Sequence, residues 1–256
     1  MDKKQWLESV EDNPNQLFVR SSLLADRGNV HWDDTTLENT LFAIRNNGIE
    51  RLSAFYTDDL SKIPQIAKWY QAKDVTVETS YDVMVQILDA IGSSSLPSRL
   101  YMLKYTCKQD LEIPEELEHH RIISFAGNEK HLETGLKEIY GLKKKEIKRL
   151  IEDPNFVDYV CGQLCVFTKE KKLVGFVLIK NRTEHFVELS NLWVRRPLRG
   201  KGYSNEIIRK IVRLVKRDQK ECLVTLKQNN YGMLKFFEDE KFELLQVRSR
   251  ENLKLK

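Results

Sequence analysis

Hydrophobic positions in the second half of the chain follow two periods. Leu173–Ile179 and Phe186–Val194 are apolar runs of strand length, bounded by the polar segments 169–172 and 181–184. With Leu164–Thr168 they predict three consecutive antiparallel strands. Ile207, Ile208, Ile211, Val212, Leu214 and Val215 recur at helical spacing, so a long amphipathic helix follows. Leu132, Leu136, Ile139 and Tyr140 predict a shorter helix, and Ile147, Leu150 and Ile151 another, stopped by Asp153-Pro154-Asn155. Strands over Arg121–Ala126, Cys222–Leu226 and Phe242–Val247 and a helix over Gly232–Glu240 complete this region.

The first half mixes the same periods. Strand-like and helix-like segments alternate in the order Leu17–Leu24, Thr36–Asn46, Arg51–Tyr56, Leu60–Gln71, Val75–Glu78, Asp82–Ile91 and Arg99–Thr106. The acidic stretch Asp110–Glu118, which contains Pro114, reads as a connector. It divides the chain into an N-terminal mixed α/β domain, residues 1–118, and a C-terminal domain, residues 119–256. No internal repeat is legible residue by residue, although two halves of one shared fold can diverge that far.

With 256 residues, 41% of them hydrophobic and 31% charged, the chain can bury more than one core and is not of a composition that stays unfolded. Its apolar runs are far shorter than the ~18 residues of a membrane span. The Met-Asp-Lys-Lys start has no apolar secretory core, so a soluble cytoplasmic protein without membrane contact is expected. Cys107, Cys161, Cys165 and Cys222 fit neither a zinc site nor a disulfide framework, which predicts reduced thiols and no bound metal. Charge changes the picture more. Residues 1–118 carry 12 basic and 20 acidic side chains, and residues 119–256 carry 30 and 18, balances of −8 and +12. Opposite signs suggest two units that face each other, the positive one placed to receive an anionic ligand.

The strand ending at Val194 leads through a basic loop into Arg199-Gly200-Lys201-Gly202-Tyr203-Ser204, where the long helix begins. Amides at a helix N-terminus lack acceptors within the helix and lie at the positive end of its dipole, so they bind phosphate. Gly200 and Gly202 let the backbone approach the oxygens, and Arg199 and Lys201 add charge. Neither a P-loop nor a G-x-G-x-x-G spacing is present. Arg45-Asn-Asn-Gly48-Ile-Glu50 repeats part of the pattern in the wrong context, after a predicted helix and before a strand, with Glu50 placed to repel a phosphate.

Arg199-Gly-Lys-Gly202-Tyr-Ser204 resembles the Q/R-x-x-G-x-G/A pyrophosphate loop of the GCN5-related N-acetyltransferase (GNAT) superfamily, with Ser at the last position. Asn230-x-x-Met233-x-x-Phe236-Phe237-Glu238-x-x-Lys241-Phe242 resembles the family's N-x-x-A-x-x-F-Y-E-x-x-G-F. The resemblance covers about residues 119 to 250 and implies a GNAT-like acyltransferase fold with a central, mostly antiparallel sheet. The N-terminal domain would then be a divergent GNAT-like half or a wall of the acceptor site.

The resemblance also implies an N-acetyltransferase, with acetyl-CoA as cosubstrate and a primary amine of a small molecule, peptide or protein as acceptor. Residue by residue, it places the main chain of Leu192, Trp193 and Val194 along the pantetheine arm and the amides from Arg199 to Ser204 around the pyrophosphate. Asn230 meets the pantetheine or, alternatively, only caps a helix. Glu188, eleven residues before Arg199, is the candidate base for the acceptor amine, with a salt-bridged strand carboxylate as the plain alternative and Glu184 and His185 as second choices. Phe237 stands where the family commonly has the tyrosine that protonates the leaving thiolate, so a weak or inactive CoA-binding regulatory protein stays open. Tyr203 or Tyr231 could stand in for it. The −8 balance of the N-terminal domain is expected to draw in a cationic amine. Arg209, Lys210, Arg213, Lys216 and Arg217 on the long helix, and the cluster Lys143-Lys144-Lys145 with Lys148 and Arg149, read as solvated faces. They lack the aromatic interleaving of a nucleic-acid surface. A homo-oligomer is compatible with the sequence.

Overall fold

In the computed structural model, which describes residues 1–24, 30–33, 37–46, 48–109, 112, 121–124, 132–153, 162–167 and 173–253, the strands of both halves join one sheet. They are β1 (Val30–Asp33), β2 (Thr40–Asn46), β3 (Arg51–Thr57), β4 (Thr76–Ser80), β5 (Leu100–Tyr105) and β6 (Arg121–Ser124), then β7 (Gly162–Phe167), β8 (Leu173–Arg182), β9 (Phe186–Val194), β10 (Glu221–Lys227) and β11 (Phe242–Asn252). Their order across the sheet is 1-2-3-4-11-5-10-9-8-7-6. The helices are α1 (Lys3–Ser9), α2 (Leu17–Leu24), α3 (Ile63–Gln71), α4 (Tyr81–Ala90), α5 (Glu133–Tyr140), α6 (Lys144–Glu152), α7 (Tyr203–Arg217) and α8 (Tyr231–Asp239).

This order has a two-fold likeness about its centre. β3 and β4 are parallel neighbours connected through α3, as β9 and β10 are through α7. β4 lies antiparallel to β11, and β10 antiparallel to β5. β5 and β11 pair antiparallel with each other. Each half therefore lends the strand that follows its last helix to the flank of the other half's parallel pair. The two halves do not face one another; they are joined edge to edge, which satisfies N–H and C=O groups that would otherwise form open edges. The expected boundary at residue 118 lies outside the described residues.

On one face α3 and α4 cover Phe42, Ile44, Phe55 and Val77, and further along α7 and α8 cover Val187, Leu189, Val224 and Phe242. On the other face α1 and α2 pack on Leu41, Ala43, Leu52 and Ala54, while α5 and α6 pack on Phe176, Leu178 and Trp193.

Several expectations need correction. The predicted alternation makes 17–24 a strand and 36–46 a helix, whereas the structure has α2 and β2 there. Leu17, Phe18, Val19, Ser21, Ser22 and Leu23 are all buried between the sheet and α1, so the helix shows no clean polar face. Thr40 to Arg45 are buried on both faces of the sheet, which removes the alternation of a strand. The segment 45–50 accordingly joins two antiparallel strands, and β11 runs on past Val247 because Arg248–Asn252 pair with β4. Nor is the basic side of α7 a solvated face throughout. Lys210 is buried against Glu206, Arg209 bonds the buried Glu240 at 2.7 Å, and Lys216 donates to the Lys108 carbonyl at 2.9 Å. The 143–149 cluster is exposed, as expected of a solvated helix face. Among the described residues no helix is long and apolar enough to cross a membrane.

Candidate active site

Parallel pairing of β9 with β10 runs only from Phe186–Glu221 to Leu189–Val224. Beyond it β9 turns away: Asn191 adopts φ +52°, and the register with β8 slips between Ser190 and Trp193. A bulge of this kind bends a strand and re-aims its side chains. β10 keeps straight along β5 to Lys227. The strands part, and a cavity of about 490 Å3 opens between Ser190, Asn191 and Leu192 on one side and Thr225, Leu226 and Lys227 on the other. Asn230, which precedes α8, Met233 and Phe237 of α8, and Glu50, Tyr140, Lys180 and Arg250 also line it.

The basic loop lies at the far end of β9. Gly200 and Gly202 have φ of +74° and +83°, a left-handed backbone that side chains disfavour. Hydrogen bonding within α7 begins with the Glu206 amide on the Gly202 carbonyl at 3.1 Å, so the amides of 203–205 precede the ladder. A Cβ built on Gly200 would have no neighbour within 4 Å. Backbone conformation, not crowding, is what calls for glycine there, just before the N-terminus of α7. Arg199 has a structural part as well. Its Nε donates to the Val194 carbonyl at 2.9 Å and its Nη2 to Glu138 at 2.5 Å. Glu138 also accepts from Trp193 Nε1 at 3.1 Å. That indole donor first, opposed by slight desolvation, and then Arg199 hold the Glu138 carboxyl below its ordinary range. Arg199 thus braces the end of β9 against α5.

Of the residues singled out in the sequence, Glu188, Leu192, Asn230 and Phe237 meet at the cavity, whereas Trp193, Val194 and the loop 199–204 are not in its wall. Trp193 and Val194 turn their side chains into two different cores. Asn230 occupies the N-cap position of α8 without a side-chain cap bond. Phe237 is buried, with its ring edge-on to Phe236 and Phe242 at 5.2 and 5.0 Å. Tyr231 is 74% exposed, and neither it nor Tyr203 reaches the cavity. Tyr140, which the sequence did not flag, does; its hydroxyl accepts from Asn191 Nδ2 at 2.6 Å.

Glu188 is 1% exposed and sits one residue before the strands part. Thr225 Oγ1 donates to Oε1 at 2.7 Å, Asn181 Nδ2 donates to Oε2 at 2.5 Å, and Lys180 Nζ stands 3.7 Å from Oε1. Asn181 is in turn held by Arg45 at 2.7 Å. Lys180 donates to both oxygens of Glu78 at 3.1 and 2.9 Å, and Arg250 reaches Glu78 at 2.6 Å. Arg45 and Glu78 come from the first half of the chain, so both halves build the surroundings of Glu188. Thr225, Asn181, Lys180 and Arg250 carry no motif; each looks like an ordinary polar strand residue. Glu184 and His185 lie at the other end of β9. Glu184 pairs with Arg20 at 2.7 Å, which holds its carboxyl at about 2 despite partial burial, and His185 Nδ1 lies 2.7 Å from Asp12.

In the first half, the connection from β3 to α3 corresponds to the loop after β9. It reads Thr57-Asp58-Asp59-Leu60-Ser61-Lys62, and Asp59 caps the Ser61 amide at 2.9 Å. Two carboxylates and no glycine repel a phosphate, so this connection lacks the features of the loop after β9. Among the described residues of 1–118, Glu50 and Leu100 line the cavity, and Glu50 is the acidic one of the two.

Residues 133–242 match the family model described as Acetyltransferase (GNAT) family. Among solved structures, the chain is similar to a tandem GNAT protein from the clavulanic acid biosynthesis pathway, with a TM-score of 0.60, 9% identity, and 99% of this chain and 95% of that one covered. It is also similar to a GNAT-family acetyltransferase from Colwellia psychrerythraea (TM-score 0.57, 13% identity, 98% and 94% covered). A GCN5-related N-acetyltransferase from Kribbella flavida gives a TM-score of 0.57 at 12% identity, with 92% and 90% covered. At such identities the likeness is one of fold, and it extends over both halves. No curated protein sequence matches the chain. The family match falls on the stretch that holds the parted strands, Glu188 and the glycine loop, and residues 133–242 are a domain of the GNAT acetyltransferase family.

Proposed function

We propose that the chain is an N-acetyltransferase that moves the acetyl group of acetyl-CoA directly to a primary amine. The observation that carries this reading is the placement of Glu188 in the cavity wall at the parting of β9 and β10, with the glycine loop further along the same strand. The amides of 200–204 hold the pyrophosphate and the gap between β9 and β10 takes the pantetheine arm. The bulge takes Asn191 and Leu192 out of register with β8, which leaves main-chain N–H groups there to polarise the thioester carbonyl. Glu188 takes the ammonium proton, directly or through water; the amine nitrogen then bonds to the carbonyl carbon, the C–S bond breaks, CoA leaves as thiolate, and the nitrogen's surplus proton passes to that thiolate or to solvent, leaving the neutral amide. A thiolate with a pKa of ~8.5 leaves without an acid, and the Tyr140 hydroxyl in the wall is a candidate donor should one act. Calorimetry with acetyl-CoA and thiol release across a panel of amines test the reading. Binding with turnover on at least one amine is expected; no binding of acetyl-CoA overturns it.

A second reading, CoA binding without turnover, has specific support. Phe237 has no proton to give, and both oxygens of Glu188 are already engaged. Tight acetyl-CoA binding with no transfer to any amine selects it.

A further inference from the structure

Beside the cavity lies a largely buried cluster that, among the described residues, has more cations than anions. Glu78 is fully buried and accepts from Lys180 and Arg250, and Arg248 Nη2 stands 3.5 Å from it. Arg248 is 1% exposed, and none of its three guanidinium nitrogens has a hydrogen-bond partner among the described residues. Arg45, also buried, closes the set through Asn181. Arg45, Lys180, Arg248 and Arg250 bring four positive charges. Against them stand Glu78, Glu188 and the partly exposed Glu50, 3.8 Å from Arg250. Among the described residues the cations of this cluster thus outnumber its carboxylates by one. Uncompensated charge in such a place is costly, and an anion entering the cavity relieves it.

Resting on the acetyl-transfer reading, we propose that the acceptor is a small amine that also carries an anionic group, of the amino-acid class, with the anion held at Arg250 and Lys180. Both cations line the cavity. Lys180 Nζ lies 3.7 Å from the Glu188 carboxylate, so the anion subsite and the base are neighbours. That spacing suits an amine and an anion a few bonds apart and disfavours a long polyamine. The excess positive charge also lowers the affinity of the acceptor's ammonium for its proton, which favours the neutral nucleophile the reaction needs. The expectation that an acidic N-terminal half attracts a bare cationic amine is replaced by the opposite electrostatic preference.

The test uses matched pairs of acceptors at saturating acetyl-CoA: glycine against methylamine, lysine against cadaverine, and O-phosphoethanolamine against ethanolamine. The anionic member of at least one pair should exceed its partner about tenfold or more in kcat/KM, as a charge-assisted hydrogen bond predicts. The phosphate pair distinguishes a phosphate from a carboxylate. Arg250→Met should bring that ratio towards one and Arg250→Lys should restore part of it, with the acetyl-CoA Kd unchanged in both and folding checked by circular dichroism. Equal or better turnover of the partners that lack the anionic group, or no turnover of any pair member while acetyl-CoA binds, overturns the inference. Failure of acetyl-CoA to bind instead removes the functional reading; calorimetry of the same pairs on the protein then decides the anion preference alone, with no preference counting against it.

Discussion

Thr225 donates its hydroxyl to Glu188 at 2.7 Å across the point where β9 and β10 part. Leu223 is paired with Glu188 in register and Val224 with Leu189, so Thr225 is the first residue of β10 beyond the parallel ladder. One bond thus bridges the mouth of the opening and aims a carboxylate oxygen. Glu188→Gln keeps the shape and an acceptor for Thr225 but cannot take a proton. Steady-state kinetics should show kcat lower by about 100- to 10,000-fold, with acetyl-CoA affinity within a factor of about two by calorimetry, since a group acting as base adds nothing to ground-state binding. Unchanged kcat removes Glu188 as the base.

The glycine loop separates two costs. Gly200→Ala meets no neighbour and pays only for its left-handed backbone, about 1–2 kcal/mol. Gly202→Glu adds the same strain and a carboxylate at the helix N-terminus where the pyrophosphate is proposed to lie. Isothermal titration should therefore find acetyl-CoA binding weakened slightly by the first and at least about tenfold by the second.

Acid should undo the network between the halves. Desolvation alone would raise the Glu78 carboxyl, but Lys180, Arg250 and Arg248 more than reverse this and hold it well below the ordinary carboxylate range. Its folded pKa lies below the unfolded value of ~4.3. The stabilisation is therefore complete above that value and is lost as pH falls through the folded one. Urea melts of the wild type should weaken steeply below about pH 4. Glu78→Gln leaves Lys180, Arg248 and Arg250 without their shared anion and should cost about 3–5 kcal/mol at pH 7, with a flatter acid limb.

Strand exchange makes each half incomplete. A fragment of residues 119–256 lacks β5, leaving the facing edges of β10 and β11 unpaired and Phe242 without the Tyr105 ring at 5.4 Å. Expressed alone it should be aggregated or unfolded by circular dichroism and exclusion chromatography, while co-expression with residues 1–118 should recover a soluble complex that binds acetyl-CoA.

Local physics made much of this readable from the chain. β8, β9 and α7 announce themselves because their apolar spacing matches one structural period, and loop 199–204 because glycines, a strand end and a helix start coincide there. Leu17–Leu24 and Thr40–Asn46 were misleading for the converse reason: residues buried on every side keep no period.

What the order of residues determined unaided is a set of elements, and what it singled out is a candidate anion loop and a candidate base. Tertiary structure alone decided that β5 and β11 cross over, that Arg45 and Glu78 reach the surroundings of Glu188, and that among the described residues Lys180, Arg248 and Arg250 gather around Glu78 beside the cavity. Those pairings join residues from about 100 to more than 170 positions apart, such as Glu78 with Lys180 and with Arg250. Period and propensity act within a few turns of chain, whereas the burial that converts Lys180 or Arg248 from a solvated charge into part of a site exists only once the sheet has closed.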